Sequence, residues 1–155
     1  MDELRSEAER LTRAGFLSET ETTALDLKAL ERFWQSELGR AIQANAAVVR
    51  RELPFTARFS PADLKATGLP VNPGLPSDEF IVVQGVIDLA VLLPREIWLV
   101  DFKTDQLTER EVEQKVEWYS PQLKLYSLAL ERIYRLPVTA RWLHFLAMGR
   151  SAPVN

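Results

Sequence analysis

The chain has no cysteine, only one histidine, and no apolar run near the length of a membrane span. Without cysteine there can be no disulfide, no thiolate-held zinc or iron–sulfur cluster, and no cysteine nucleophile within the chain. The single histidine, His144, has no second ligand beside it, so it reads as a strand residue rather than a metal ligand. It also offers no local serine–histidine pair. A membrane-spanning helix needs roughly 20 apolar residues. No such run is present, and the acidic amino terminus is not a signal peptide. Positive charge is not in excess: 19 Lys and Arg face 22 Asp and Glu, a formal net charge of −3. That argues against a basic-patch nucleic-acid binder, which depends on neutralising phosphates with Lys and Arg. It leaves open a protein whose working groups are themselves carboxylates.

What is present is ordinary material for one globular domain: 155 residues, 46% hydrophobic and 26% charged. Residues 2–14 carry Leu4, Ala8 and Leu11 on one stripe and predict an amphipathic helix that stops at Gly15. Ser18 with Glu21 is a capping-box start for a second helix, carrying Leu25 to Leu38 and running to about Gly39, with room for a break within it. Arg40 to Ala47 predicts a further short turn. Val48 to Phe59 then changes to a strand, with a bulge expected near Pro54. Ser60-Pro61-Ala62-Asp63 can cap a helical turn. Gly68, Pro70, Asn72, Pro73, Gly74 and Pro76 make residues 67–78 a loop. Two strands follow, around Phe80–Asp88 and Ile97–Lys103. Glu109–Trp118 and Tyr119–Tyr134 predict two helical segments, with Pro121 in the first turn of the second. Residues 138–147 predict a returning strand. This order implies an α/β layer fold, a sheet covered by helices. Residues 1–155 are taken as one domain, helical over about 1–47, with the sheet and its helices over about 48–155.

The chemistry gathers on the two middle strands. Side chains alternate along a strand, so Asp101 and Lys103 emerge on one face and Phe102 on the other. Leu92-Leu93-Pro94-Arg95 is a plausible hairpin connection. A hairpin symmetric about Pro94 and Arg95 pairs residues whose numbers sum to 189, which sets Asp88 opposite Asp101. Like charges so placed destabilise a sheet unless a cation is bound between them. Magnesium suits such a site, since it takes oxygen ligands from one or two carboxylates plus phosphate. Read singly, Asp101-x-Lys103 is first of all an ion pair at a sheet edge, where charged residues are routine. Further along, Gln122 and Tyr126 share a helix face, with Tyr119 three residues before Gln122. The tyrosines alone could be packing residues, but a buried Gln122 needs hydrogen-bond partners. Glu52, in Arg50-Arg51-Glu52-Leu53-Pro54-Phe55, is either a further oxygen ligand or the partner of an adjacent arginine.

Three segments in order, Gln84–Asp88, Val100–Asp105 and Gln122–Tyr126, resemble the RecB-type branch of the PD-(D/E)xK nucleases. Arg51-Glu52-Leu53-Pro54-Phe55 and the helices before it resemble more closely the AddA-type nuclease domain of helicase–nucleases. The resemblance covers nearly the whole chain. It implies a restriction-endonuclease-like core, a central mixed sheet flanked by helices, and hydrolysis of DNA phosphodiesters with Mg²⁺, or with Mn²⁺ in its place. It also implies exonuclease action in double-strand-break repair and recombination, a cytoplasmic setting and no membrane. Upstream helicase domains and a partnering second subunit of the helicase–nuclease belong to the same implication. Asp88, Asp101 and the Phe102 backbone carbonyl would ligate the metal, with Glu52 a candidate for a further ligand. Lys103 would position or help deprotonate the attacking water, or stabilise developing charge. Gln122 and Tyr126 would shape the site and engage the DNA backbone. A catalytically inactive domain of the same fold, docking DNA or a partner subunit, is the alternative. The family usually supplies a histidine ligand from a helix ahead of the catalytic strands, and residues 1–47 contain none. The chain is therefore expected to be part of a longer protein, and by itself to bind metal weakly and cut poorly.

Overall fold

Five strands form one sheet in the order β1-β2-β3-β4-β5, and the helices lie on its two faces. The computed structural model describes every residue except Leu75 and Ser77, which fall in the loop predicted over residues 67–78. β1 (Val49–Phe59), β2 (Ile81–Leu92) and β3 (Ile97–Lys103) run antiparallel in sequence order. β4 (Val138–Phe145) returns parallel to β3, and β5 (Arg150–Pro153) closes the edge antiparallel to β4. The parallel step requires a crossover, and α6 (Val112–Tyr134) supplies it. The sheet is therefore mixed, as the fold class predicts. β5 is an addition to the predicted elements: four residues, too short for alternation to register.

Among the amino-terminal helices, α1 (Asp2–Arg13) is as predicted, and the second helix, read as open to a break before Gly39, is divided into α2 (Glu19–Ala24), α3 (Leu27–Gln35) and the start of α4 (Glu37–Ala44). Three short polar side chains make the breaks. Ser18 and Glu21 form the predicted capping box, Asp26 accepts from the Ala29 N–H, and Ser36 accepts from the Gly39 N–H. Gly39 is required by close approach, because a Cβ there would fall 2.1 Å from the Phe33 carbonyl oxygen. α5 (Pro61–Ala66) begins with the Ser60–Asp63 capping box and proline in its first turn.

Two predicted helical segments are instead one helix. α6 runs 23 residues without a break, and Pro121 lies inside it rather than in a first turn. Proline removes one helical hydrogen bond. Packing on both sides of it offsets that loss: Val112 at one end and Leu123, Leu125, Ala129 and Leu130 beyond all enter the core.

The sheet separates two apolar clusters. Toward α6 and α5 lie Phe55, Phe59, Leu64, Ile87, Leu99, Leu123, Leu130 and Leu143. Toward α3 and α4 lie Phe33, Ile42, Leu89, Val91 and Val100. The strand alternation contains a reversal. On β2, Ile87 faces α6 while Leu89 and Val91 face α3. On β1, Val49 packs toward α3 and Leu53 and Phe55 toward α6. The register does not slip, since Arg51 pairs with Leu89 and Leu53 with Ile87. Both strands invert at the level of Glu52 and Asp88, and Glu52 has φ +47°. The distortion expected near Pro54 thus sits two residues earlier. Pro54 itself pairs with Val86 on the edge strand β1, where a missing N–H is tolerated.

Candidate active site

The hairpin register is the one symmetric about Pro94 and Arg95: Leu92 pairs with Ile97, and Leu89 with Val100. The ladder ends there, one residue before Asp88 and Asp101. In a continued ladder the Phe102 N–H would meet the backbone of Ile87; instead it donates to Asp88 Oδ2 at 2.8 Å. The reversal at Asp88 thus converts a strand position into a side-chain cap on the neighbouring strand. The Lys103 carbonyl accepts from Leu146 N–H at 2.9 Å on the β4 side. Successive strand carbonyls point to opposite sides, so the Phe102 carbonyl points to the β2 side, where Asp88 is.

Asp101 is 3% exposed. Its Oδ2 lies 2.6 Å from Lys103 Nζ, an ion pair, yet among the described residues no donor is aligned on that oxygen as a hydrogen bond. Burial pushes the Asp101 carboxyl above its ordinary value, the Lys103 ammonium opposes this, and the nearby Asp88 charge adds to it. Lys103 continues the network. Its Nζ donates to Gln122 Oε1 at 3.3 Å, and Gln122 Nε2 donates to Tyr126 OH at 2.8 Å. This satisfies the polar end of Gln122 in an otherwise apolar stretch of α6. The Tyr126 ring packs edge-on against Phe55, 5.3 Å between centroids. Gly85 makes room for this pair, as a Cβ there would sit 2.7 Å from Phe55 Cε1.

Asp88, Asp101, Lys103, Gln122 and Tyr126 therefore lie in one linked group across β2, β3 and α6. Glu52 is exposed on β1 and lines, with Arg51, Asp88, Phe102, Phe33 and Trp34, a cleft of about 410 Å³. It shares the cleft with Asp88 rather than joining the two aspartates: among the described residues, no three acidic or histidine side chains gather closely enough to hold one cation. Neither Arg50 nor Arg51 makes an ion pair with Glu52 among the described contacts. His144 is a strand residue, fully buried on β4, with Nδ1 2.9 Å from Ser151 Oγ. Burial lowers its pKa to about 4.

The donor set suits a hard divalent cation. It offers two carboxylates, one with a buried oxygen free of an aligned donor, and a backbone carbonyl turned to the same edge. Two carboxylates with remaining positions for water and phosphate is the usual provision for magnesium. Two residues that the sequence pattern does not place in the site stand beside it. Tyr119 lays its ring 4.1 Å from Lys103 Nζ, and Asp105 accepts from the Tyr119 hydroxyl at 3.1 Å. The signal for Tyr119 is its spacing from Gln122; Asp105 lies in a loop, where no periodicity points to a partner.

A mixed sheet with an aspartate at the β2 reversal and Asp-x-Lys at the end of β3 defines a class of nucleases, and the chain belongs to it: residues 1–151 match the PD-(D/E)XK nuclease superfamily. Within that class it is similar to proteins named as A-type subunits of ATP-dependent helicase/nucleases. That of Desulforudis audaxviator is 36% identical over 154 residues, covering 99% of this chain and 12% of the relative. That of Lacticaseibacillus paracasei is 35% identical over 149 residues, 96% of this chain and 12% of the relative. That of Geobacillus thermodenitrificans is 34% identical over 153 residues, 93% and 12%. The chain thus spans 12% of the length of these curated relatives. Among the described residues no helix is long and apolar enough to cross a membrane.

Proposed function

We propose that this chain hydrolyses DNA phosphodiesters with a divalent metal ion, as the nuclease domain of an ATP-dependent helicase–nuclease. The observation that carries this reading is the buried Asp101 carboxylate, one oxygen without an aligned donor, set between Lys103 and Asp88. Asp88, Asp101 and the Phe102 carbonyl would hold the ion, Mg²⁺ in the cell with Mn²⁺ as a substitute, and Glu52 on β1 lines a cleft with Asp88 and Phe102. When bound, the ion supplies Lewis acidity and lowers the pKa of its water. Asp101 holds the Lys103 ammonium against the site. Lys103 orients the attacking water and stabilises the negative charge that grows on the phosphate as the new P–O bond forms and an ester P–O bond breaks. Gln122 fixes Lys103 from the other side, and Tyr126 holds Gln122. The proposed setting is cytoplasmic: exonucleolytic processing of DNA ends in double-strand-break repair and recombination, with helicase domains on the same polypeptide and a second subunit. Residues 1–155 act as one nuclease domain in it.

The test is cleavage of linear DNA with Mg²⁺ or Mn²⁺. Activity that is lost with Asp101→Ala supports the assignment; undiminished cleavage by that variant overturns it. A second reading, an inactive domain that docks DNA or a partner, is favoured by the lack of a third gathered carboxylate among the described residues. Calorimetric titration with Mn²⁺ separates the two: heat of binding that vanishes in Asp88→Ala supports the nuclease, and no binding by the parent chain supports docking.

A further inference from the structure

An ammonium on four rotatable carbons is a poor fixed charge unless its surroundings fix it. Lys103 Nζ has three N–H donors; one goes to Gln122 Oε1 at 3.3 Å, and Asp101 Oδ2 stands 2.6 Å from the ammonium as its ion-pair partner. The next wall is the face of Tyr119, with Nζ 4.1 Å from the ring centroid. That is well inside the range over which the electron-rich face of an aromatic ring attracts a cation. The Lys103 side chain is only 15% exposed, so the ring also closes a route to water.

The ring is itself anchored. Its hydroxyl donates to Asp105 Oδ2 at 3.1 Å, and Lys115 Nζ holds the other oxygen, Asp105 Oδ1, at 2.8 Å. Asp105 leaves β3 two residues after Lys103. Lys115 and Tyr119 lie one turn apart on α6, on the stripe that continues to Gln122 and Tyr126. The loop and the helix thus meet through a charged tether that reaches the site by way of the Tyr119 ring.

We propose that Tyr119 is a positioning residue: its ring face, held by Asp105, fixes the Lys103 ammonium beside Asp101. The inference rests on the nuclease reading for its effect on catalysis, and not for its geometry. Two measurements test it. In NMR spectra of the chain, the ε-methylene protons of Lys103 are expected upfield, under the ring current of Tyr119. Tyr119→Phe keeps the ring and should keep that shift; Tyr119→Leu should abolish it. In DNA cleavage, Tyr119→Leu should lower kcat about 10-fold with KM for DNA unchanged, while Tyr119→Phe stays within about 3-fold, the scale of a cation–ring contact. Asp105→Ala, which leaves the ring but frees it, should give a smaller loss of both shift and kcat; this variant also serves where Tyr119→Leu does not fold. A Lys103 shift that is the same in wild type and Tyr119→Leu overturns the proposal. So does a rise in KM with kcat unchanged, which would make Tyr119 a DNA contact. Wild-type chain that cleaves no DNA under any metal would overturn the nuclease reading, and the NMR comparison would still decide the positioning of Lys103.

Discussion

Toward α6, the end of β3 presents Asp101 and Lys103, paired with each other and reached by Gln122 and Tyr119. Toward α3, the same strand presents Val100 and Phe102, the latter packed on Phe33 and on His144 of β4. Both faces bury a polar atom with no aligned partner among the described residues, Asp101 Oδ2 on the first and His144 Nε2 on the second. The resolutions differ. His144 avoids the cost of a buried charge by staying neutral, its pKa depressed to about 4. Asp101 is offered a cation instead. A face that only packs can discharge its titratable group, whereas the proposed nuclease site sets its buried carboxyl beside an ammonium, at some cost to the fold.

The contrast can be broken from either side. The largest effect should come from Asp101→Asn, which keeps the shape and removes the charge. Cleavage should fall by at least about 10³-fold, roughly 4 kcal/mol of barrier, while the melting temperature holds or rises. A marked drop in melting temperature would show that Asp101 serves the fold. Next, Phe33→Ala deletes the ring that contacts Trp34, Phe102 and His144 and should cost about 3–4 kcal/mol in urea unfolding. A cost below about 1 kcal/mol would mean that the α3 face is not the packed side of β3.

The third effect is a pH dependence. The unfolded chain binds a proton at histidine below about pH 6.5, and the folded chain does not until pH falls to about 4. Stability should therefore decline as pH falls from 6.5 to 4, by about 3 kcal/mol in all, and the sign follows from the unfolded state holding more protons. His144 is the only histidine, so His144→Leu should flatten the profile over the upper part of that window. A wild-type profile already flat there would contradict a neutral buried imidazole. The smallest effect lies on the α6 side away from the site. Arg132, 2.7 Å from Asp63, holds that carboxyl down at about 2. Its contribution is present above pH 3.8 and lost as pH falls toward 2. Both groups are partly solvated, so Asp63→Asn should cost only about 1 kcal/mol at pH 7, and the difference from wild type should vanish near pH 2. A difference that persists at pH 2 would assign the effect to the Ser60 cap rather than to the ion pair.

Much of this is legible in the chain because local rules govern it. Alternation puts Asp101 and Lys103 on one face, the Pro94-Arg95 turn sets the hairpin register, and helical spacing aligns Gln122 with Tyr126. Capping side chains at Ser18 and Ser60 mark helix starts that the structure contains. The single α6 reads as two helices in the sequence because proline is a breaker by local preference, and only the core residues on both sides of Pro121 outweigh it. The sequence allows a break in the second helix, but the positions at Asp26 and Ser36 are not legible for the converse reason: each is a polar residue in a stretch whose apolar spacing continues across it.

By itself the sequence determined which charged groups stand together, since two aspartates and a lysine on neighbouring strands follow from period and turn. The tertiary structure decided how those groups are held. The reversal at Glu52 and Asp88 turns the Asp88 carboxylate onto the Phe102 N–H, and the packing of α6 on the sheet lays Tyr119 over Lys103. Both are contacts between segments distant in sequence, and no local periodicity encodes which long-range surfaces meet.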